Sequence, residues 1–298
     1  MTSLANLYRP QEFVDVSSQQ TVRRILTKQI QMGTYKHALL FNGSAGSGKT
    51  TCARIFASKI NGEIIEIDCA SHNGVAEIKD IVDNARVLSL VNEYKVFIMD
   101  ECHCLTPQAW SSLLIVLEEN LPKSIFVFCT TDAQKIPDTI MSRVQEFKFI
   151  PITEDQIYNR LKYVCEHECI NIEDEGLKTI SKMANGNIRQ AFTYLDKCTL
   201  YNDALTNDDI CKVLNIVSTD IMTKLYAAYD SKDITAITKL ITDIYSNGYE
   251  LHTFIRHFLD YSLTTGNIKL VECILKIIND IRYDDNPKNL IIANLICF

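Results

Sequence analysis

The sequence lacks the segments that direct a chain into or across a membrane. Its start, MTSLANLYRPQEF, has no basic stretch followed by an apolar run, which excludes a signal peptide. Elsewhere no apolar run approaches the roughly 18 residues that a membrane-spanning helix needs. Internal repeats and low-complexity stretches are also missing. With 298 residues, 47% of them hydrophobic, we expect a soluble intracellular protein of two or three domains, with no membrane partner.

An excess of positive charge is absent too, since the formal net charge is −7 at pH 7. This balance argues against a protein that coats nucleic acid by bulk attraction. Residues 1–151 contain 15 Lys and Arg against 16 Asp and Glu, whereas residues 152–298 contain 15 against 21. Any nucleic-acid contact is therefore expected to come from a local patch in the less acidic first half.

Paired metal-ligand motifs are missing among the 11 cysteines, which are odd in number and scattered. Cys129 and Cys273 lie in apolar runs, as is typical of small buried hydrophobic residues in a reducing compartment. Cys165, His167 and Cys169 could bind a metal, but they share one helix face and no second ligand pair lies nearby. The sequence therefore predicts no zinc site.

What the sequence does contain is an alternation of strand and helix patterns over residues 37–151. The strand-like segments are HALLF, EIIEID, YKVFIMD, SIFVFCTT and KFIPIT. Such an alternation predicts a parallel sheet covered by helices on both faces. Beyond it the strand signal disappears, and a capping box at residues 153–156 opens a series of helical patterns. We expect an α/β domain over residues 1–151 and two all-α domains over residues 152–208 and 209–298.

The stretch GSAGSGKT, residues 43–50, matches the phosphate-binding loop pattern G-x-x-x-x-G-K-[ST] between a predicted strand and a predicted helix. Backbone N–H groups of such a loop, together with the helix N-terminus, bind phosphate oxygens. Lys49 is expected to reach the outer phosphates and Thr50 to bind Mg²⁺. The predicted contacts are Gly43, Ser44, Ala45, Gly46, Ser47, Gly48, Lys49, Thr50 and Thr51. A Gly- and Ser-rich surface turn is the alternative.

Two acids end the apolar run VFIMDE. Asp100 is placed to organise the metal, and Glu101 to align and polarise an attacking water. Thr130 or Thr131, after the next predicted strand, could sense the terminal phosphate, although a Thr pair there is usually a turn. A solvated strand end is the alternative for the acids. Two acids at this point favour hydrolysis over binding alone.

Two arginines complete the predicted site. Arg143, in TIMSRVQEF, has no obvious partner in its own segment, and we predict that it serves a nucleotide site on a different copy of the chain. A surface ion pair with a nearby carboxylate, such as Glu146, is the alternative. Arg189 opens a later helix and could report the state of the nucleotide to the second domain, or it could simply be solvated.

These segments together resemble the gamma/tau subunit of the bacterial DNA polymerase III clamp loader, a family of AAA+ ATPases. The order and spacing of the motifs match, and the resemblance covers nearly the whole chain. It is carried by LYRPQEFVDV, HALLFNGSAGSGKTTCARIFASKIN, EIDCASHNGVAEIKDI, YKVFIMDECHCLTPQAWSSLLIVLEE and FCTTDAQKIPDTIMSRVQEFKF. The small subunits of replication factor C are more distant relatives, and a phage or viral version of either system also fits.

The resemblance implies an AAA+ P-loop domain followed by an all-α lid and an all-α collar. It further implies a pentameric assembly that uses ATP and Mg²⁺ to open a sliding clamp and place it on primer–template DNA. The site residues that it implies are Tyr8, Arg9 and Pro10 around the base and sugar, Lys49, Thr50, Asp100 and Glu101 around the phosphates and Mg²⁺, Thr131 and Arg189 as sensors, and Arg143 as a finger acting in trans.

The sequence departs from the family pattern in several places. SKINGEIIEID joins the P-loop helix directly to the next strand, without the family's four-cysteine zinc module. Val144 replaces the family's Cys, and Ile115 stands where a basic residue often contacts phosphate. Lys79 and Arg86 share a helix face and could track DNA phosphates, although a solvated face fits equally well. We also expect the chain to lack the long tail of the tau form.

The sequence thus favours an ATP-hydrolysing clamp-loader subunit. We expect it in the cytoplasm of a bacterial or phage-infected cell, or in a nuclear or host compartment if the system is of the eukaryotic type. Two alternatives stay open. One is an ATP-binding subunit that mainly scaffolds such a complex, and the other is a different AAA+ machine that remodels DNA or proteins.

Overall fold

The computed structural model describes residues 3–119, 121, 123–217, 219–281 and 286–297. Contacts divide the chain into two compact units. The first comprises Met1–Cys169 and Ile180–Asp196, and the second comprises Ile170–Thr179 and Lys197–Phe298. Contact density alone does not delimit folding domains, so the boundaries predicted near residues 151 and 209 stay predictions.

A five-stranded sheet with the order β2-β3-β4-β1-β5 forms the centre of the first unit. Its strands are β1 (Ala38–Gly43), β2 (Gly62–Asp68), β3 (Tyr94–Asp100), β4 (Ser124–Thr130) and β5 (Gln145–Phe149). Every pairing is parallel. The strands β1, β3 and β4 are buried over most of their length, as their continuous apolar runs predict. The predicted parallel sheet is therefore confirmed.

Helices cover both faces of this sheet. They are α2 (Gln20–Met32) and α3 (Lys49–Lys59) on one face, and α4 (Val75–Arg86), α5 (Pro107–Glu119) and α6 (Asp138–Met141) on the other. The other helices up to residue 199 are α1 (Leu4–Leu7), α7 (Glu154–His167), α8 (Asp174–Met183) and α9 (Ile188–Thr199). Successive residues of β4 point to opposite faces. Val127 packs with Leu26 and Phe56 from α2 and α3, whereas Phe128 packs with Leu113 from α5.

The second unit contains the remaining helices. They are α10 (Asn207–Val213), α11 (Thr219–Asp230), α12 (Ile234–Ser246), α13 (Leu251–Thr265), α14 (Ile268–Asp280) and α15 (Pro287–Cys297). A core that includes Leu225, Ile241, Phe258, Cys273 and Ile291 joins α11 to α15. Across the part of the chain that the structure describes, no helix combines the length and apolar character that crossing a membrane requires.

One feature of this unit was not expected from the sequence. Strands β6 (Asn171–Ile172) and β7 (Ala204–Leu205) form a short parallel pair in the region predicted to be all-α. Two residues are too few to produce an alternating hydrophobic pattern, so periodicity could not reveal them. The helical character of the remainder is as predicted.

The predicted capping box at the start of α7 is present. The Thr153 Oγ1 atom accepts a hydrogen bond from the Gln156 backbone N–H at 3.3 Å, and the Thr153 N–H donates to Gln156 Oε1 at 3.2 Å. These bonds satisfy donors that a helix start otherwise leaves unpaired.

Substituting Thr153→Ala should lower the free energy of unfolding by about 1 kcal/mol, because one capping acceptor is lost. Thr153→Ser keeps the hydroxyl and serves as the matched control. Calorimetric melting of the three proteins measures the effect. Equal melting temperatures for Thr153→Ala and the wild type would show that the cap contributes nothing.

Candidate nucleotide-binding site

The predicted phosphate-binding loop joins β1 to α3. Gly46 and Gly48 have φ angles of 70° and 98°, in the left-handed region that favours glycine. The Ser47 hydroxyl donates to the Ser44 carbonyl at 2.7 Å, and this hydrogen bond stabilises the turn of the loop. The N-terminus of α3 therefore faces the loop, as phosphate binding requires.

Lys49, the first residue of α3, is only 5% exposed. Its Nζ donates to the carbonyl oxygens of Gly43 at 2.8 Å and Ser44 at 3.0 Å. The ammonium thus lies inside the loop, where phosphate oxygens would compete with these carbonyls for its protons. This position agrees with the predicted role of Lys49.

The two predicted Mg²⁺ ligands lie side by side. The Thr50 hydroxyl donates to Asp100 Oδ2 at 2.9 Å, although 50 residues separate them. The sheet order explains the contact: β1 and β3 flank β4, and parallel strands bring their carboxyl ends to one edge. A hydroxyl and a carboxylate are hard oxygen donors, so the pair fits Mg²⁺.

Glu101 has a backbone φ of 47°, which is uncommon for a residue other than glycine. Its Oε2 accepts a hydrogen bond from the Thr131 hydroxyl at 3.2 Å and lies 3.3 Å from His103 Nδ1. Thr130, the other sequence candidate, is fully buried, and its hydroxyl oxygen accepts from the Asp132 N–H at 3.0 Å. The structure therefore places Thr131, and not Thr130, beside the acid.

A cavity of about 280 Å³ lies beside these groups. Many predicted residues line it, namely Tyr8, Arg9, Pro10, Ala45, Gly46, Ser47, Gly48, Lys49, Thr50, Thr51, Asp100, Glu101 and Arg189. Its size is near the lower end of the range for small-molecule sites. The cavity thus brings together residues from the N-terminal segment, the P-loop, β3 and α9.

The N-terminal segment is fixed to α7 and α9 by hydrogen bonds. Arg160 Nη2 donates to the Tyr8 carbonyl at 2.9 Å, and the Leu4 N–H donates to Asp196 Oδ2 at 3.2 Å. The Tyr8 hydroxyl donates to Glu168 Oε1 at 2.6 Å, and this bond raises the pKa of Tyr8 to about 12. Arg160 also lines the cavity, and sequence reasoning missed it because an isolated helical Arg forms no motif.

Positive charge is concentrated near the phosphate side of the cavity. Burial, followed by repulsion from Arg54 and Arg189, lowers the pKa of the Arg9 guanidinium. Arg9 Nε donates to the Thr51 hydroxyl at 3.2 Å, and Arg54 pairs with Glu66. Within the described residues, the Arg189 guanidinium has no hydrogen-bond or ion-pair partner. Such a cluster favours a polyanionic ligand.

Two further residues, which are distant in the sequence but contact the loop in the fold, could not be found from the sequence. Gln19, buried and with a φ of 61°, donates through Nε2 to the carbonyls of Ser47 at 3.2 Å and Ile150 at 2.6 Å. Asn187 lies so close to Gly46 that a Cβ on this glycine would collide with its side-chain oxygen. Neither Gln nor Asn belongs to the loop motif, so only the folded chain reveals them.

Arg143 lies away from this cavity, two residues before β5. Its Nη2 donates to Glu118 Oε1 at 2.6 Å, and its Nη1 donates to the Thr139 carbonyl at 2.7 Å. The alternative of a surface ion pair is thus present, but its carboxylate is Glu118 and not Glu146, whose Oε1 accepts from Asn42 Nδ2 at 3.1 Å. Glu118 escaped prediction because it lies 25 residues earlier in the sequence.

The two candidate DNA contacts differ in their surroundings. Arg86 forms a bidentate ion pair with Glu119, through Nη2 at 2.6 Å and Nε at 3.0 Å. It also contacts Asp83 at 3.2 Å. The hydrogen bond to Glu119 raises the pKa of Arg86. A DNA role for Lys79 and Arg86 stays a prediction, and for Arg86 the carboxylates would compete with phosphate.

The Cys165–His167–Cys169 segment offers little to a metal. Burial raises the pKa of the Cys165 thiol to about 11, so the thiolate that metals bind is disfavoured. His167 Nδ1 lies 2.8 Å from the Tyr163 carbonyl. Over the described ranges, no group of three or more His, Cys, Asp or Glu side chains is arranged to hold a metal ion. The absence of zinc stays a prediction.

Comparisons with known proteins agree with this geometry. Residues 39–152 match the ATPase family associated with various cellular activities (AAA), and residues 159–200 match the RCF1/5-like AAA+ ATPase lid domain. DNA polymerase III subunit gamma of Buchnera aphidicola is 32% identical over 269 residues, which cover 81% of this chain and 74% of the relative. The chain belongs to the DNA polymerase III gamma/tau family.

Other relatives of this gamma/tau family member differ in length. The gamma/tau subunit of Mycoplasma genitalium is 34% identical over 285 residues, covering 87% of this chain and 47% of the relative. The chain thus spans about half the length of that protein. Replication factor C subunit 4 of Arabidopsis thaliana is 29% identical over 270 residues, covering 85% of this chain and 79% of the relative.

Solved structures extend the likeness of the fold. The RuvB Holliday junction branch migration motor of Thermotoga maritima has a TM-score of 0.60 and 21% sequence identity. The match covers 74% of this chain and 79% of that one. At this identity, the comparison shows a shared AAA+ fold.

Substituting Gly46→Ala should weaken ATP binding at least about tenfold, because the left-handed backbone and the Asn187 side chain both oppose a Cβ. Gly33→Ala is the matched control, since Gly33 has a φ of 62° but nothing within 4 Å of the added carbon. Titration with a fluorescent ATP analogue measures both. Unchanged affinity in Gly46→Ala would show that the loop tolerates a Cβ here.

Proposed function

We propose that this chain is an ATP-hydrolysing subunit of a sliding-clamp loader, which opens a ring-shaped clamp and places it on primed DNA during replication. The observation that carries this proposal is the contact of Thr50 with Asp100 beside the buried Lys49 in a chain of the gamma/tau family. The implied partners are the other subunits of a pentameric assembly, the clamp and primer–template DNA. Its place would be the cytoplasm of a bacterial or phage-infected cell, or a nuclear or host compartment.

Each proposed role follows from a position in the site. The loop N–H groups and Lys49 bind the triphosphate, while Thr50 and Asp100 would hold Mg²⁺, which would neutralise charge on the phosphates. Glu101 accepts a proton from the attacking water, and Thr131, hydrogen-bonded to it, orients the carboxylate. Tyr8, Arg9 and Pro10 enclose the base and sugar, and Arg189 contacts the phosphates as the second sensor.

Arg143 is proposed to act on the nucleotide of an adjacent subunit. It precedes β5, whose carboxyl end at Phe149 pairs in register with Gly43 of the P-loop. The extended strand from Gln145 to Phe149 alone spans about 13 Å, beyond the reach of one side chain. The position supports action in trans, because Arg143 cannot approach the phosphate loop of its own chain.

An exposed apolar loop supports the proposed protein partners. After α4, the side chains of Leu90 and Val91 are 101% and 90% exposed, and Val87 and Leu88 are more than half exposed. Clustered apolar residues of this kind mark sites of protein association. We propose that residues 87–91 contact another component of the assembly. We likewise propose an ATPase domain over residues 1–151, a lid over 152–208 and a collar over 209–298.

Glu101→Gln should reduce the ATP turnover number by about 10²–10⁴, because the amide cannot accept the proton of the attacking water. ATP affinity should remain near that of the wild type, since the P-loop is intact. Steady-state ATPase of the reconstituted assembly measures turnover, which primed DNA and clamp should stimulate in the wild type.

Normal turnover in Glu101→Gln would remove the catalytic assignment. A wild-type assembly with no turnover under any of these conditions would favour the scaffold alternative. A six-membered assembly by native mass spectrometry would favour a different AAA+ machine.

Mixing two inactive variants tests action in trans. Glu101→Gln chains keep Arg143 but cannot hydrolyse ATP. Arg143→Ala chains keep an intact pocket but lack the arginine that acts in trans, which raises the hydrolysis rate by about 10³–10⁵-fold. Activity should return when both are assembled together, because the first variant donates Arg143 to the pocket of the second. ATPase assays across mixing ratios detect this recovery, and a mixture as inactive as its components would contradict the proposal.

A further inference from the structure

A second cavity, of about 640 Å³, lies at the amino ends of the strands, on the edge opposite the P-loop. Its polar lining includes Lys36, His37, Ser142, Arg143 and Gln145. These residues come from the loop before β1 and from the segment that leads into β5. None of the described residues that line the cavity is Asp or Glu, although Glu118, which lies outside the lining, pairs with Arg143.

The charge of Lys36, one of the cations that line this cavity, is not balanced by an ion pair with a described residue. Its side chain is exposed, and it has no hydrogen-bond or ion-pair partner among the described residues. The sequence around it contains no Asp or Glu from residue 16 to residue 62. Two cations that share a concave surface repel each other, and an anion placed between them relieves that repulsion.

Arg143 retains donors for such an anion although it is paired with Glu118. A guanidinium carries five N–H groups. Its described hydrogen bonds are three: Nη1 to the Thr139 carbonyl and to the Ser142 hydroxyl, and Nη2 to Glu118. Two N–H groups therefore remain for a ligand, and Glu118 and Thr139 fix the plane in which they lie.

The anion cannot be a nucleotide in the P-loop of the same chain. Lys36 precedes β1, whose extended chain from Ala38 to Gly43 alone spans about 17 Å. Arg143 stands at the same edge, because β5 runs parallel to β1 in register. Both cations face away from their own phosphate loop, and both can reach a phosphate only on a neighbouring molecule.

We propose that Lys36 and Arg143 together form one phosphate-binding cavity, which receives the triphosphate held in the P-loop of an adjacent subunit. This inference rests on the proposed trans action of Arg143 and adds to it a second cation. Lys36 would neutralise phosphate charge while Arg143 stabilises the transferring group. His37, whose Nε2 lies 3.1 Å from the Leu117 carbonyl, would then support the loop and not the ligand.

The mixing experiment tests this proposal when Lys36→Ala is added to the donor chain, Glu101→Gln. Activity recovered with Arg143→Ala partners should fall about tenfold, as expected for the loss of a charged hydrogen bond to phosphate. Adding Lys36→Ala to the acceptor chain, Arg143→Ala, should leave the recovered activity unchanged. A merely structural role for Lys36 would lower activity in either chain, so the asymmetry identifies a donated contact.

Two controls complete the design. Lys36→Arg in the donor should retain most of the activity, and Lys28→Ala, which removes an exposed lysine from α2, should have no effect. Recovered activity that is unaffected by Lys36→Ala in the donor would overturn the role of Lys36. If the parent Glu101→Gln and Arg143→Ala chains fail to complement, the trans proposal itself fails. The two failures are thus separable.

Discussion

The hydrogen bond between Thr50 and Asp100 is the interaction on which the remainder of the site depends. It forms because β1 and β3, which flank β4 and are not paired with each other, end at the same edge of the parallel sheet. A strand slipped by one residue would turn Asp100 toward the opposite face. The apolar register that pairs Ile98 with Val127, and Val127 with Leu39, therefore also fixes where the oxygens proposed to bind the metal lie.

Much of this arrangement could be predicted from local patterns. Strand β1, the loop at residues 43–48 and α3 follow one another without interruption. The glycine spacing, the lysine and the helix start together therefore predict a phosphate-binding loop. The acids at residues 100 and 101 were predictable for a similar reason, since a buried apolar strand that ends in carboxylates must expose them at its carboxyl end. The cap at Thr153 likewise depends on residues only three apart.

What the sequence could not provide is the set of contacts between distant segments. Arg160 meets the Tyr8 carbonyl across 152 residues, and Gln19 meets the Ile150 carbonyl across 131. Glu118 was missed as the partner of Arg143 because a helix end and a strand start approach each other only after the sheet has formed. The two-residue strands β6 and β7 belong to the same class, since their pairing depends on tertiary position and not on periodicity.

The distribution of thiols has a practical consequence. Burial raises the pKa of Cys52 to about 12 and that of Cys273 to about 11, so these sulfurs stay protonated and react slowly with alkylating reagents. Of the 11 free cysteines, two are exposed: Cys169 in the first compact unit and Cys297 in the second. The native chain thus carries one exposed thiol in each unit, which would allow fluorophores to be attached without engineered cysteines and energy transfer between the units to be compared with and without nucleotide.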